Sequence, residues 1–184
     1  HYPQAQIYSD INHISTARPC GQLPKQFGAA RLTLLDSQGD FSSKNDRSCV
    51  LLIELYQWRI LLPGDIGQQV EQQLLARYPQ LQAHVLVLSH HGSNSSSHYA
   101  FLHQLSPMLA LNSASLYNRH QHPAQAVQLR LQQLGIPLLN TAQSGAIRLN
   151  ITEQGIDIKQ YRAQRIPYWL QKPVGNAETL DATR

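Results

Sequence analysis

Two adjacent histidines follow a short apolar run that is typical of a buried strand. Residues 85–88 (VLVL) are strand formers, and His90, His91 and Gly92 come shortly after them. A buried strand holds the residues at its carboxyl end rigidly at the sheet edge, where α/β folds place ligands and catalytic groups. Because imidazole is the commonest metal ligand near neutral pH, the pair is a candidate metal-binding element. A bare His-His pair more often lies in a solvated polar loop than in a metal site, so the assignment depends on partners.

Two further side chains are placed to join the histidines. Asp65 follows the end of another predicted strand, and His122 precedes a predicted helix. Because neighbouring strand ends converge in a layered sheet, Asp65, His122 and one of His90 and His91 are predicted to share one rim. A carboxylate and imidazoles suit Zn²⁺ or Mn²⁺, and with two ions Asp65 would bridge them in a site that hydrolyses a phosphodiester. The alternatives are a helix cap for Asp65 and solvated loops for the histidines.

The elements that must position these residues alternate between strands and helices. Strands are predicted at residues 6–9, 30–35, 48–56, 57–62, 85–88, 108–111, 136–139, 146–151 and 156–159. Helices with one apolar face are predicted at residues 66–78, 96–105 and 123–134. Ser95 or Ser96 is the expected N-cap of the second helix, Pro123 fits the first position of the third, and Gly135 is its expected C-cap. The alternation predicts a layered α/β domain.

The composition is that of a globular domain. The chain has 184 residues, of which 42% are hydrophobic and 14% are charged, which is enough for one domain with a core. No apolar run reaches the roughly 20 residues of a membrane span, so we expect a soluble domain. The net charge of +4 permits contact with a polyanion without demanding it. The chain starts at His1 with no leader pattern, so we expect it to be part of a larger protein.

The two cysteines leave two alternatives open. Cys20 and Cys49 are far apart and share no CxxC spacing, which argues against a zinc knuckle. They form one disulfide if the compartment is oxidising, or they are two buried thiols.

Several motifs occur in a specific order: KNDRSCVLLIEL, LLPGDI, a helix, VLVLSHHGSNSSS, NSASLYNRHQHP and TAQSGAIRL. In this order they resemble the C-terminal metallo-β-lactamase-like domain of the ComEC family, the competence proteins that carry transforming DNA across the inner membrane. The resemblance runs from Gln6 to Tyr161. It implies a four-layer αββα sandwich, with residues 1–161 as the domain. Residues 162–184 form a polar tail with Pro167, Pro173 and Gly175, which we expect to be partly disordered.

The resemblance also implies an activity and a location. It implies a metal-dependent phosphodiesterase, a nuclease acting on single-stranded DNA during uptake, with one or two Zn²⁺ or Mn²⁺ ions and no small-molecule cofactor. The parent protein would lie in the inner membrane, with its transmembrane channel portion as a partner. This domain would lie on the outer, periplasmic side.

By matching the family's motifs, the resemblance implies roles for individual residues. Asp65 matches the superfamily's bridging aspartate, and the pair His90-His91 matches the family's HHGS, in which one histidine binds metal. His122 matches a position that would contact the scissile phosphate or protonate the leaving oxygen. The resemblance makes substrate contacts of Asn45, Ser93 and Asn118, and Ser48 is expected to shape the pocket floor with Asn45.

The chain departs from the family at one motif. The first ligand segment, of the form H-x-D-x-D-H, is absent, and a catalytic zinc normally has three protein ligands. We therefore expect this chain to hold part of a site and to be inactive alone. Two other functions stay open: a non-catalytic module that guides DNA with strong salt dependence, and a phosphoesterase for another substrate.

Overall fold

The computed structural model of the protein describes residues 6–9, 17–36, 43–162 and 180–181. Within these ranges the strands are β1 (Gln26–Phe27), β2 (Ala30–Leu35), β3 (Val50–Leu55), β4 (Trp58–Leu62), β5 (Val85–Val87), β6 (Leu109–Asn112), β7 (Leu138–Asn140), β8 (Ile147–Ile151), β9 (Gly155–Gln160) and β10 (Leu180–Asp181). The helices are α1 (Gln68–Arg77), α2 (Tyr99–Leu105), α3 (Gln125–Gln133) and the short α4 (Thr141–Ser144). Short 3-10 helices occur at Cys20–Gln22, Asn45–Arg47 and Ser89–Gly92.

The strands form a seven-stranded sheet and a three-stranded sheet. The large sheet has the order β1-β2-β3-β4-β5-β6-β7, and the small one has the order β10-β9-β8. Strands β1 to β4 pair antiparallel, whereas β4 to β7 pair parallel. The parallel pairs are joined by crossovers that contain α1, α2 and α3, as parallel neighbours require. The carboxyl ends of β4 to β7 therefore lie at one edge of the sheet.

Each face of the large sheet covers its own hydrophobic cluster. On one face, Leu61 and Leu86 pack with the helix residues Leu74, Leu102 and Leu131. On the other face, the cluster joins the large sheet to the small one through Trp58, Ile60, Val85, Leu109, Ile156 and Ile158. Successive strand residues point to opposite faces, so β4 contributes Leu61 to the first cluster and Trp58 and Ile60 to the second.

The predicted α/β class is confirmed. The described residues form three layers, namely helices α1 to α3, the large sheet and the small sheet. The finer prediction of an αββα metallo-β-lactamase sandwich stays a prediction. None of the helices in the described ranges has both the length and the hydropathy needed to cross a bilayer.

Most predicted strands are found within a residue or two of their expected bounds. The hairpin predicted around residues 56–58 is formed by β3 and β4, with Tyr56 at a positive φ of 54° in the turn. The hairpin of β8 and β9 is also confirmed. Residues 6–9 were expected to form a strand, and within the described ranges a single bridge is found there, between Tyr8 and Arg18.

The predicted starts of all three helices are wrong by two or three residues. Asp65 does not cap α1, because Gly67 is the N-cap and the chain makes a turn at Gly64 first, with φ at +66°. Ser95 and Ser96 do not cap α2, whose N-cap is His98. The Ser96 hydroxyl donates instead to the carbonyl oxygens of Ser89 (2.8 Å) and Ser93 (3.0 Å).

The third helix also starts later than its sequence suggests. Pro123 lies two residues before α3, after a cis peptide bond with His122, and Ala124 is the N-cap. The C-cap is Leu134, and Gly135 follows it with φ at +66°, the left-handed conformation that glycine adopts readily.

A disulfide joins the segment before β1 to the segment before β3. Cys20 and Cys49 form a disulfide with a Cα–Cα distance of 5.8 Å, which decides between the two alternatives left open by the sequence. In the tail, Leu180–Asp181 pairs antiparallel with β9. The partial disorder of the tail stays a prediction. The rest of the predicted tail from residue 163 onward lies outside the described residues.

Candidate functional site

Polar side chains meet at the carboxyl edge of the parallel strands. Asp65 follows β4, His90 and His91 follow β5, and Ser113 follows β6. The backbone reverses sharply after β5, because His90, His91 and Gly92 all have positive φ angles of 51°, 56° and 77°. Left-handed conformations are uncommon for residues other than glycine and cluster at functional sites. The sequence therefore predicted correctly that these residues share one rim.

The hydrogen bond of His91 determines its tautomer. Its Nδ1 lies 2.7 Å from the carbonyl oxygen of Ser113. A carbonyl oxygen only accepts, so Nδ1 carries a proton and donates it to this bond. In the neutral ring the lone pair is then on Nε2, which lies 3.7 Å from Oδ1 of Asp65. A donated Nδ1–H with a free Nε2 is the arrangement that metal-binding histidines use.

Backbone contacts hold Asp65 opposite this ring. The Asp65 N–H donates to the hydroxyl oxygen of Ser48 (3.0 Å), and that hydroxyl donates to the carbonyl oxygen of Asn45 (2.7 Å). The His90 N–H donates to the carbonyl oxygen of Gly64 (3.0 Å). Ser48 therefore ties the segment before β3 to the turn after β4.

His90 points toward a different neighbour from His91. Its Nε2 lies 3.3 Å from Nδ2 of Asn45. If the Asn45 amide donates, Nε2 of His90 is occupied as an acceptor and its proton is on Nδ1. The two histidines of the pair thus have different surroundings, and His91 is the one whose Nε2 faces a carboxylate.

His122 lies beside the pair in a loop that Asn118 holds closed. The His122 N–H donates to Oδ1 of Asn118 (2.6 Å), and Nδ2 of Asn118 donates to the carbonyl oxygens of Ser115 and His122 (3.0 Å each). The ring of His122 stacks on His120, with centroids 5.5 Å apart, and its centroid is 6.3 Å from that of His90. Its Nδ1 is buried and has no hydrogen-bond partner among the residues that the structure describes.

The environment of His122 favours its neutral form. Burial lowers the pKa of His122, and the positive charge that His120, His90 and His91 can carry lowers this pKa further. His122 is thus a neutral imidazole near pH 7 when no anion is bound.

A groove of about 440 Å³ opens beside Asp65 and His90. Its lining includes Asn45, which the resemblance predicted as a substrate contact. Two other predicted contacts are already engaged within the protein, because the Ser93 hydroxyl lies 3.0 Å from that of Ser95 and the Asn118 amide is used in its own loop. A phosphate contact by Asn45, Ser93 or Asn118 stays a prediction.

Sequence reasoning missed two acidic residues next to the site. Asp46 Oδ1 accepts the N–H of Gly67 (2.7 Å), the N-cap of α1, and it lines the same groove. Glu71 is buried on α1, where its two oxygens accept the N–H groups of Ser97 (2.5 Å) and His98 (3.0 Å). The available signal was the position of Glu71 between Val70 and Leu74 on the apolar face of the helix.

The buried carboxyl of Glu71 organises the loop after the histidines. Burial raises the pKa of Glu71, against the opposing effect of its hydrogen bonds to His98 and Ser97. His98 Nδ1 lies 3.5 Å from Glu71, but burial lowers the pKa of His98, so this contact is not an ion pair at neutral pH. Arg130 completes the arrangement by donating to the carbonyl oxygens of Ser96 (3.1 Å) and Ser97 (3.3 Å).

The described residues supply fewer donors at this edge than a catalytic metal ion requires. Among the described residues, no group of three His, Cys, Asp or Glu side chains is arranged to hold a metal ion. Asp65 and His91 offer two suitable donors, whereas a catalytic zinc takes three protein ligands. The described residues therefore do not form a complete metal site.

Comparisons with known proteins relate the chain to larger proteins. It is 35% identical over 159 residues to Competence protein ComA of Neisseria gonorrhoeae, which covers 85% of this chain and 23% of ComA. It is 39% identical over 109 residues to ComE operon protein 3 of Bacillus subtilis, covering 59% of this chain and 14% of that protein. It is 37% identical over 139 residues to the uncharacterized protein YcaI of Escherichia coli, covering 75% of this chain and 18% of YcaI.

No protein-family model matches the chain. The chain spans less than a quarter of the length of each of the three relatives. It is therefore homologous to one segment of larger proteins that include a competence protein.

Proposed function

We propose that this chain is a DNA-handling domain of a competence protein and that it contributes part of a metal-dependent phosphodiesterase site. The observation that carries the proposal is the pairing of Asp65 with Nε2 of His91 at the carboxyl edge of the parallel strands. Similarity to a competence protein supports the DNA-handling role. The net charge of +4 supports contact with a polyanion.

Asp65 and His91 would be two ligands of a divalent ion, Zn²⁺ or Mn²⁺. If bound by these two residues, such an ion would supply the Lewis acidity that lowers the pKa of water and offsets negative charge on the phosphate. The third protein ligand would come from outside the described residues. His91 is preferred over His90 because its Nδ1 is bonded to a carbonyl oxygen and its Nε2 faces the carboxylate.

His122 would act on the substrate and not on the ion. A neutral imidazole donates one hydrogen bond, and the negative charge of a bound phosphate would raise the pKa of His122. Phosphate binding would thus convert His122 into a proton donor for the leaving oxygen. Asn45, on the wall of the groove that contains Asp65, would contact the phosphate of the bound DNA.

The proposed location is the outer side of the inner membrane, next to the channel portion of the parent protein. The Cys20–Cys49 disulfide supports this location, because disulfides form and persist in oxidising compartments such as the periplasm.

Cleavage of labelled single-stranded DNA in Mn²⁺ or Zn²⁺ tests the proposal, using the longest form of the protein that contains this chain. We expect Asp65→Ala to abolish cleavage. Asp157→Ala is the matched control, because Asp157 is an exposed carboxylate on β9, and it should leave cleavage unchanged. Full activity of Asp65→Ala would contradict the assignment. DNA binding without any cleavage would favour a non-catalytic guiding module, and cleavage of a small phosphodiester without DNA binding would favour another substrate.

A further inference from the structure

A second groove has His122 in its lining and contains neither of the two proposed metal ligands, Asp65 and His91. Its volume is about 750 Å³, within the range of roughly 300–1,000 Å³ typical of ligand pockets. The segment before α3, one side of α3, and the end of β7 with α4 form its walls. The groove is therefore built from the same sheet edge as His90, His91 and His122, which we call the histidine cluster.

The lining combines an apolar floor with a rim of amides. Leu131 and Ile136 are buried in the helix-side core and form the floor together with Leu138. The exposed side chains of Gln121, Gln132 and Gln143 form the rim, and we call this pocket the amide-rimmed groove. A carboxamide both donates and accepts hydrogen bonds, so this rim suits a ligand whose edge carries donors and acceptors together.

In the part of the chain that the structure describes, the amide-rimmed groove lacks the cationic side chains that a phosphate site normally has. Of the described residues that line it, none is Asp, Glu, Lys or Arg. A flat, neutral ring system with a hydrogen-bonding edge matches both the floor and the rim, and a nucleobase is such a group. Tyr117, which is 93% exposed, adjoins the lining residue Leu116 and offers an aromatic face for stacking.

His122 connects the two grooves. It lines the amide-rimmed groove, and its ring centroid lies 6.3 Å from that of His90, which lines the groove beside Asp65. A nucleic acid strand whose phosphate lies at the histidines would therefore bring an adjacent base to the amide-rimmed groove. Duplex DNA keeps its bases paired and stacked, so only an unpaired base is free to enter.

We infer that the amide-rimmed groove binds a base of single-stranded DNA next to the phosphate held at the histidine cluster. The inference rests on the proposed DNA-handling function. It does not depend on whether the chain cleaves DNA.

Fluorescence anisotropy in EDTA tests the inference, with a short single-stranded oligonucleotide and an abasic oligonucleotide of equal length and charge. EDTA removes metal-dependent cleavage from the readout. We expect the chain to bind the base-bearing strand about tenfold more tightly than the abasic one. Gln132→Met removes a rim amide without adding an aromatic face, and it should reduce this preference by about threefold, with unchanged affinity for the abasic strand. Gln133→Met is the matched control, because Gln133 is the next residue on α3, is exposed and does not line the groove.

Equal affinity of the chain for the two strands would overturn the inference, and so would an undiminished preference in Gln132→Met. If thermal melting shows that Gln132→Met is unfolded, Gln143→Met on the opposite wall decides by the same criterion. A base preference in a protein that cleaves no DNA would remove the proposed nuclease activity and leave the groove assignment intact.

Discussion

Gly92 and Pro123 are in direct contact, and this contact joins the turn that carries His91 to the segment that carries His122. A Cβ atom added to Gly92 would lie 2.6 Å from Cβ and 3.0 Å from Cα of Pro123. The Ala124 N–H donates to the carbonyl oxygen of Gly92 (2.8 Å), which holds the two segments together. The relative position of the histidines therefore depends on a glycine.

Gly92→Ala should lower the free energy of unfolding by about 2–4 kcal/mol, because the methyl group meets Cβ and Cα of Pro123 and the φ of +77° is left-handed. Chemical denaturation measures this change. Gly135→Ala is the matched control, since Gly135 has a φ of +66° but nothing within 4 Å of an added Cβ. It should show only the conformational cost, about 1–2 kcal/mol. Equal losses in the two variants would show that the contact with Pro123 contributes nothing.

His91 should contribute more to metal affinity than His90. Zn²⁺ binding measured by calorimetry on the longest form of the protein that contains this chain should weaken by more than about tenfold in His91→Ala, because its oriented Nε2 is lost. His90→Ala should have a smaller effect, since Nε2 of His90 faces Asn45. His103→Ala removes an exposed histidine of α2 and serves as the control. A larger loss in His90→Ala than in His91→Ala would reverse the assignment.

Glu71 should make stability fall as the pH rises above about 4.5. Burial raises the pKa of Glu71 above its ordinary value of 4.5, so the folded protein binds a proton that the unfolded chain releases. This stabilisation is present below pH 4.5 and is lost as the pH rises through the raised pKa. Glu71→Gln removes the titration.

The free energy of unfolding is measured against pH for two proteins, His98→Gln alone and His98→Gln combined with Glu71→Gln. The shared substitution removes the titration of His98, which faces Glu71. The difference between the two curves should change only between pH 4.5 and the raised pKa. At neutral pH, Glu71→Gln should also lose about 1–3 kcal/mol, since an amide N–H₂ would face one of two backbone N–H donors. A pH-independent difference would refute the raised pKa.

The disulfide should stabilise the fold substantially. It closes a loop between positions 29 residues apart, which corresponds to roughly 3–4 kcal/mol in the chain-entropy treatment. Denaturation of Cys20→Ser/Cys49→Ser against the oxidised protein measures this difference. Two free thiols in protein purified from the periplasm under non-reducing conditions would contradict both the disulfide and the proposed location.

Local pattern was enough to predict the elements of the sheet and the edge where the polar residues meet. Runs such as residues 85–88 and 57–62 are apolar and strand-forming over their whole length, so they reveal buried strands without knowledge of their neighbours. Asp65, His90 and His91 directly follow such strands, and converging strand ends brought them to one rim. Helix starts were less predictable, because the side chains of Asp65 and Ser96, which local preference assigns to caps, contact other groups. Asp65 faces His91, and the Ser96 hydroxyl donates to the carbonyl oxygen of Ser89 in the preceding loop.

The sequence by itself determined the α/β class, the order of the strands along the chain and the rim shared by Asp65 and the histidine pair. Only the tertiary structure decided that His91, and not His90, directs its Nε2 at Asp65, because the partner that orients the ring is a backbone carbonyl after another strand. It also decided the Cys20–Cys49 bond, the burial of Glu71 and the amide-rimmed groove. Each of these depends on atoms far apart in the chain, and their approach is set by packing across the sheet and not by local sequence preference.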